Sequence, residues 1–504
     1  MGKKILSLVL VALLCVSLFA GCGNTEKSDD AQKDEQGKII KDDKDSGSAD
    51  DEEAVELIYY TIGTPPADLE MVKEELSKMT MEKINAKIDL KFIDWGDYGS
   101  KITAIINSGE EYDIAFAAGP DQGDYLGNSK KGAFEPLDDL LEEYGKGILE
   151  VVHPAFWEGL KIDGKIYGVP TKGRDIAAPE CWMYPKELVD KYDIDIDSIK
   201  TLEDLEPWLE KLSKEEPEWQ LMDLDQDTHF HPDHEYIIDD SVPAVVRKGD
   251  DSLIVKNLYE EESVVDLLKT LHKYYKAGYI NQDAAIKPTS GLVKGEKVFW
   301  KQAQGGPGAD AIWSKDRGYA IVSSQVEEPY ITTGTTREAV MCVSSNSKHK
   351  EKAVEFINLL NTDVDVRNTL GYGIEGVHYE LVDGKVRFLE ASSNYAVPNY
   401  SLGNLSLVYL KEEDPDDLRE QIDKVIDSSV ESPMLGFTPD LDPIKNEIAA
   451  ITNVTKEFRP ALMTGSVDVE ENLEKFNQKL KEAGLDKVIE TLQSQLDDWK
   501  ANKQ

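Results

Sequence analysis

Leu57-Ile58-Tyr59-Tyr60-Thr61, Ile88-Asp89-Leu90-Lys91-Phe92 and Tyr112-Asp113-Ile114-Ala115-Phe116-Ala117 are the runs whose spacing decides the fold. The first is rich in β-forming residues and stops at Gly63 and Pro65-Pro66. After it, Leu69, Val72, Leu76 and Met79 recur at helical spacing, with Asp68 placed to cap the helix. In the second run Ile88, Leu90 and Phe92 alternate with Lys87, Asp89 and Lys91, the period of a strand. Ile102, Ile105 and Ile106 mark another helix before the third run. Strand, helix, strand, helix, strand predicts a parallel sheet covered on both faces, an α/β fold.

Downstream, Ile162-Asp163-Gly164-Lys165-Ile166 reads as a hairpin with Asp-Gly as its turn. Thr201 and Asp204 have the spacing of a capping box for a helix carrying Leu205, Trp208 and Leu212, with Pro207 as a possible kink. Val264, Leu267, Leu268, Leu271 and Tyr275 define a further helix. Beyond the Gly-rich residues 305–308, residues 319–322 and 339–343 are strand-like. The last stretch is helical, with Leu473, Phe476, Leu480, Leu485, Val488, Ile489, Leu492, Leu496 and Trp499 on its apolar faces. No repeat of solenoid period is present.

A chain of 504 residues is too long for one hydrophobic core, so two large lobes are expected. Apolar residues make up 40% and aromatics 8%, enough to build those cores. The formal net charge is −42, from 98 acidic and 56 basic residues, which repels nucleic acid phosphates and anionic lipid headgroups and excludes both as partners of the protein surface. Four cysteines are not a disulfide scaffold. Cys181 and Cys342, each in an apolar stretch, read as buried free thiols, although an oxidising compartment would permit a disulfide.

The N-terminus reads as a secretory leader. Lys3 and Lys4 precede the apolar residues 5–20, a run shorter than the roughly 20 residues of a membrane span. Leu18-Phe19-Ala20-Gly21-Cys22 resembles the lipobox of bacterial lipoproteins, with Phe19 where that motif usually has Leu. The resemblance implies a signal peptide over residues 1–21 and a diacylglycerol-bearing Cys22 as the first mature residue. Residues 22–54 are mostly Asp, Glu, Lys, Ser and Gly, a composition that cannot fold and suits a tether to the outer face of the membrane.

Gly164-Lys165-Ile166-Tyr167-Gly168-Val169-Pro170, the segment 345–360 (SNSKHKEKAVEFINLL) and Tyr372-Gly373-Ile374-Glu375-Gly376 followed by His378-Tyr379 resemble family 1 extracellular solute-binding proteins, the substrate-capturing lipoproteins of ABC importers. Gly436-Phe437-Thr438-Pro439 and the helices after it are similar to a subgroup with a long C-terminal extension. This resemblance implies a two-lobe, periplasmic-binding-protein-like (type II) fold with inter-lobe crossover strands and a helical C-terminal region. Residues 55–171 and 331–365 would form lobe 1, and residues 172–330 and 366–504 lobe 2 with the C-terminal helices. The crossings would fall near residues 169–175, 330–337 and 365–400. It also implies a carbohydrate ligand (an oligosaccharide for many members), ABC permease subunits in the membrane as partners, no cofactor and a monomeric protein.

Open parallel sheets receive ligands beyond the carboxyl ends of their strands, and closing lobes bury them. A sugar offers C–H faces to aromatic rings and hydroxyls to charged planar groups. The candidate ligand-binding residues are therefore Trp95, Asp97 and Tyr98 after the second strand, and Asp121 after the third. Lys172 and Arg174 join them at the first crossing, with Asp175 beside them, then Trp300 before the Gly-rich loop, and Tyr372 and Glu375. Each also has a plain structural role: the aromatics as core, Asp121 as a turn residue, the two cations as counter-ions to neighbouring acids.

Catalytic patterns fail on inspection. Residues 159–165 match a P-loop, but Ile166 stands where Ser or Thr must hold Mg²⁺. Asp223, Asp225 and Asp227 open like a Ca²⁺ loop, but Thr228 and His234 replace the Gly and the last Glu. His229, His231 and His234 crowd the same stretch, which reads as a polar surface loop with at most adventitious metal affinity. Ser345 and Lys348 read as helix capping. The expectation is a binding protein with no catalytic residue. Its alternatives are a lipid-anchored glycosidase, since 98 acids leave carboxylate pairs open, and a peptide or metal receptor on the same scaffold.

Overall fold

The computed structural model describes residues 54–171, 179–230, 233–289 and 291–503. Val55–Ile62 pairs in parallel with Ala86–Ile93 along its whole length, from Val55 opposite Ala86 to Ile62 opposite Ile93. Its other edge pairs in parallel with Ile114–Ala117. The expected order of strands and helices is present, and alternation assigns the faces. Leu57 and Tyr59 point into one core with Ile88, Leu90 and Phe92, beneath the helices Leu69–Ile84, Asp138–Tyr144 and Lys350–Thr362. Tyr60 and Ile62 point to the other face, where Tyr98–Ser108 contributes Tyr98 and Ile102. Each such side chain taken from water stabilises the sheet by roughly 1.5–3 kcal/mol.

Two more strands complete this sheet, and both run antiparallel pairings that local pattern does not announce. Val340–Val343 lies against Ile114–Ala117, and Val169–Pro170 against Val340–Val343. The Asp-Gly turn before Val169 forms as expected: Asp163 and Gly164 have φ of 51° and 79°, and Ile162 and Lys165 exchange backbone hydrogen bonds of 2.9 and 3.1 Å.

A second sheet has the order Ile321–Gln325, Glu180–Pro185, Val298–Gln304, Gln220–Met222. Its core takes the helices Leu202–Glu215 and Glu262–Ala277. The first of these starts with the expected capping box between Thr201 and Asp204, and Pro207 sits inside it without ending it.

The C-terminal helices Lys445–Met463, Val469–Glu482 and Leu485–Lys503 cover a three-stranded antiparallel sheet of His234–Tyr236, Ala244–Arg247 and Lys256–Asn257. The end of the His-rich stretch, expected as a surface loop, is thus a buried strand: His234 and Glu235 are 6% and 8% exposed. The molecule has two lobes, one around each large sheet, with the C-terminal unit beside the second. Among the described residues no helix is long and apolar enough to cross a membrane.

The chain leaves the first sheet after Val169–Pro170 and enters the second at Glu180. It returns through Tyr330–Ile331 and the short helix Thr333–Thr336. The third connection is not near residues 365–400. Val366, Leu370, Leu402 and Ile426 lie in the core of the first lobe, so residues 366–426 belong there and not with the second lobe. Helical periodicity reveals an apolar face but not which lobe receives it. The actual connection follows Val430–Glu431, which pairs in parallel with Tyr330–Ile331. There Leu435 enters the first-lobe core, while Met434 and Phe437 enter the core under the C-terminal helices.

Candidate functional site

One cavity holds about 590 Å³. Its walls come from the first lobe between Gly371 and Ile422, and Ile312 of the helix Ala309–Arg317 closes it from the second. It therefore lies where two lobes meet.

The floor is built on a buried cation. Arg367, wholly buried, donates through Nη1 and Nη2 to Asn399 Oδ1 and the Asn399 carbonyl at 2.9 and 2.8 Å. Asn399 Nδ2 donates to the Gly371 carbonyl at 3.0 Å. Burial brings the Arg367 guanidinium down to about 10, still charged at neutral pH. A Cβ at Gly371 would come within 2.3 Å of Asn399 Oδ1, so only glycine allows this approach. Tyr59 Oη donates to the Ser401 carbonyl at 3.0 Å, which ties the backbone just after Tyr400 to the first sheet.

An aromatic ladder leads from this floor to solvent. Phe116, in the sheet, meets Tyr400 edge-on at 6.0 Å, and Tyr400 stacks on Trp95 at 6.3 Å and 29°. Trp95 is 48% exposed, unusual for an indole, and stands outside the cavity's lining. Farther round the cavity, Tyr372 donates through Oη to the Tyr409 carbonyl at 3.2 Å and meets Phe388 edge-on at 5.3 Å. Phe388 is itself 44% exposed. Lys411, Asp414 and Arg419 add charge, and Arg419 Nη2 donates to the Val408 carbonyl at 2.9 Å. Aromatic rings beside amides, hydroxyls and a few charges suit a polar ligand with apolar patches.

The residues selected from sequence divide into groups. Trp95, Asp97 and Asp121 converge on the loops after two parallel strands; a Cβ on Gly99, two residues past Asp97, would meet the Asp121 carbonyl at 2.2 Å. Asp97 is ion-paired with Lys101 at 2.9 Å. Tyr372 lines the cavity, while Glu375 is exposed and is not among its lining residues. Tyr98 is a core residue, fully buried with its hydroxyl on the Phe116 carbonyl at 2.5 Å. Trp300 is likewise core: wholly buried, it meets Trp182 edge-on at 5.2 Å and stacks on Phe230 at 5.9 Å. Neither can touch a ligand in this conformation. Lys172, Arg174 and Cys22 lie outside the described residues.

Sequence reasoning missed Tyr400, Asn399, Phe388, Tyr409 and Arg419. For Asn399 and Tyr400 the signal is a density of Tyr, Asn, Ser and Pro over residues 392–400, inside the stretch expected to be a crossing.

Other polar clusters are satisfied internally. Asp223 is ion-paired with Lys287, with Lys301 at 2.8 Å and with Arg317 at 3.8 Å. Burial disfavours its charge, but Lys301 and Lys287 hold its carboxyl below the usual range. Protein cations therefore neutralise the acids that resembled a Ca²⁺ loop, and among the described residues no His/Cys/Asp/Glu group suits a metal ion. Cys181 and Cys342 are free and buried. Burial pushes the Cys181 thiol up to about 11, so neither its exposure nor its acidity fits a nucleophile.

Residues 64–365 match the family described as bacterial extracellular solute-binding protein, and residues 433–501 match a domain of unknown function, DUF3502. A carbohydrate ABC transporter substrate-binding protein of Streptococcus pneumoniae serotype 4 is 33% identical over 474 residues, 93% of this chain and 95% of that one. The crystal structure of the N-glycan transport solute binding protein NgtS from Streptococcus pneumoniae matches with a TM-score of 0.82 at 33% identity, covering 89% of this chain and 100% of that one. The same protein in complex with Man5GlcNAc matches at 0.68 and 33% identity, covering 89% and 99%.

Proposed function

The chain belongs to the bacterial extracellular solute-binding protein family, and we propose that it captures an oligosaccharide between its two lobes and delivers it to the permease of an ABC importer. The observation that carries this reading is the cavity of about 590 Å³ lined by Tyr400, Tyr372 and Phe388, with Ile312 of the other lobe in its wall and Trp95 stacked on Tyr400 just outside it. Stacking on aromatic faces and hydrogen bonds to amides and charged groups select a sugar without covalent chemistry. Asn399 and Tyr400, held from below by Arg367 and Tyr59, are preorganised, so little ordering entropy is lost when ligand arrives.

Closure of the lobes supplies retention. NgtS superposes on this chain at 0.82 in one structure and at 0.68 with Man5GlcNAc, at the same 33% identity. Rotation of two lobes about their connecting segments is the motion by which such a cleft would close. We further propose that Cys22 carries the lipid anchor and that residues 23–53 tether the protein to the outer face of the membrane. Trp95, Asp121 and Tyr372 are proposed as ligand contacts.

The test is a melt of the protein from residue 23 onward with and without a panel of mono- and oligosaccharides, with each mixture sampled for hydrolysis. A ligand at about 100 times its dissociation constant adds about 2.7 kcal/mol, read as a rise of a few degrees. A rise with intact sugar supports the receptor; cleaved sugar supports a glycosidase instead; silence across the panel points to another ligand class.

A further inference from the structure

Two of the three segments that carry the chain between the lobes converge on one carboxyl group of the second lobe's side. Glu235 lies in the strand His234–Tyr236 and is 8% exposed. Its Oε2 accepts from Ser432 Oγ at 2.6 Å and from Tyr330 Oη at 3.2 Å. Tyr330 is on the returning crossing, and Ser432 directly follows the strand Val430–Glu431 of the last one. The two crossings are themselves paired, with the Ser432 amide on the Ile331 carbonyl at 2.9 Å. Just beyond this knot the chain divides between cores: Met434 into that of the C-terminal helices, Leu435 into that of the first lobe. Glu235 thus holds two of the three inter-lobe segments together where the chain divides between cores.

Its surroundings are charged on one side only. Lys248, after the neighbouring strand, is ion-paired with Glu327 and lies 5.2 Å over the Tyr330 ring. Glu180 and Asp233 act on Lys248 from farther away. No cation touches Glu235 itself among the contacts described. His234 and Tyr236 flank it in sequence, but strand alternation turns them to the opposite face. Burial pushes the Glu235 carboxyl up to about 7, against the lowering effect of Ser432, Tyr330 and Lys248.

We propose that Glu235 is a positioning residue of the hinge: its carboxylate pins two of the three crossing segments and restricts the angle between the lobes, and protonation releases them. An ionised carboxylate is acceptor-only and takes strong bonds from both hydroxyls. A protonated one has a hydrogen to donate, and one of the two contacts weakens. The consequence for ligand capture rests on the binding function proposed above; the hinge assignment does not.

The experiment therefore reads the hinge without ligand. Lys130→Cys and Lys214→Cys place spin labels on exposed positions of the two lobes, and the inter-label distance distribution is recorded at about pH 5.5 and about pH 8.5, either side of the titration. The expected result is a narrow distribution at high pH and a broader one at low pH. Glu235→Gln is broad at both, and Ser432→Ala, which keeps the carboxyl, is also broad at high pH. A wild-type distribution that ignores pH, or a Glu235→Gln variant that keeps the pH response, overturns the assignment. In a second arm, oligosaccharide affinity changes severalfold over the same pH range in the wild type and stays flat in Glu235→Gln. Failure of every sugar to bind counts against the binding function alone.

Discussion

Replacing Trp95 by alanine isolates the contribution of one ring to capture. A Trp side chain offers about 250 Å², and the 48% exposure of Trp95 leaves roughly half of that to solvent. A pyranose face covers about half of the free area, so near 60 Å² of apolar surface is buried on binding, which at about 25 cal/mol/Å² is about 1.5 kcal/mol. The dissociation constant should then rise about tenfold. Fold stability should change by less than about 1 kcal/mol, because an already half-exposed ring loses only its stack on Tyr400. The assay is calorimetric titration of the oligosaccharide giving the largest melting shift, with a denaturant melt as control. Unchanged affinity in a normally folded variant would refute the reasoning, since it would place the sugar away from the ladder.

Removing the floor should be far more costly. Arg367→Met leaves Asn399 without its donors and should destabilise the protein by about 2–4 kcal/mol while abolishing sugar binding, read by urea melts and calorimetry. Lys301→Met strips a cation from the buried Asp223 and should cost about 3 kcal/mol without changing sugar affinity, because that cluster lies away from the cavity. For Glu235 the sign is that of a raised acid: the folded state holds the proton up to about 7, the unfolded chain only to about 4.3. Stability should fall as pH rises through that window by on the order of 3 kcal/mol, a slope absent in Glu235→Gln melts. Cys22→Ser in cells should move the protein from the membrane fraction to the medium, and retention on the membrane would refute lipidation at that residue.

The legible part of the fold was local. Leu57, Tyr59 and Tyr60 with their helices announced the first sheet because alternation and helical period are short-range properties, and the Asp163-Gly164 turn was readable for the same reason. The antiparallel return of Val340–Val343 and the pairing of Tyr330–Ile331 with Val430–Glu431 were not, since each joins segments far apart in sequence. The site shows the same limit. Trp95 and Asp121 were reachable from the rule that ligands sit beyond strand ends. Trp300 met the same test of residue type, yet it packs on Trp182 and Phe230: an aromatic side chain serves core or ligand, and only burial separates the two. Asn399 and Tyr400 owe their positions to Arg367 and Tyr59, tertiary contacts that no local pattern contains.

A structure with the oligosaccharide that gives the largest melting shift tests the central claim most directly. The account predicts a sugar ring on the Trp95–Tyr400 stack, filling the cavity beside Tyr372 and touched from the second lobe by the helix carrying Ile312. A sugar bound elsewhere, with that cavity free of it, would contradict the account.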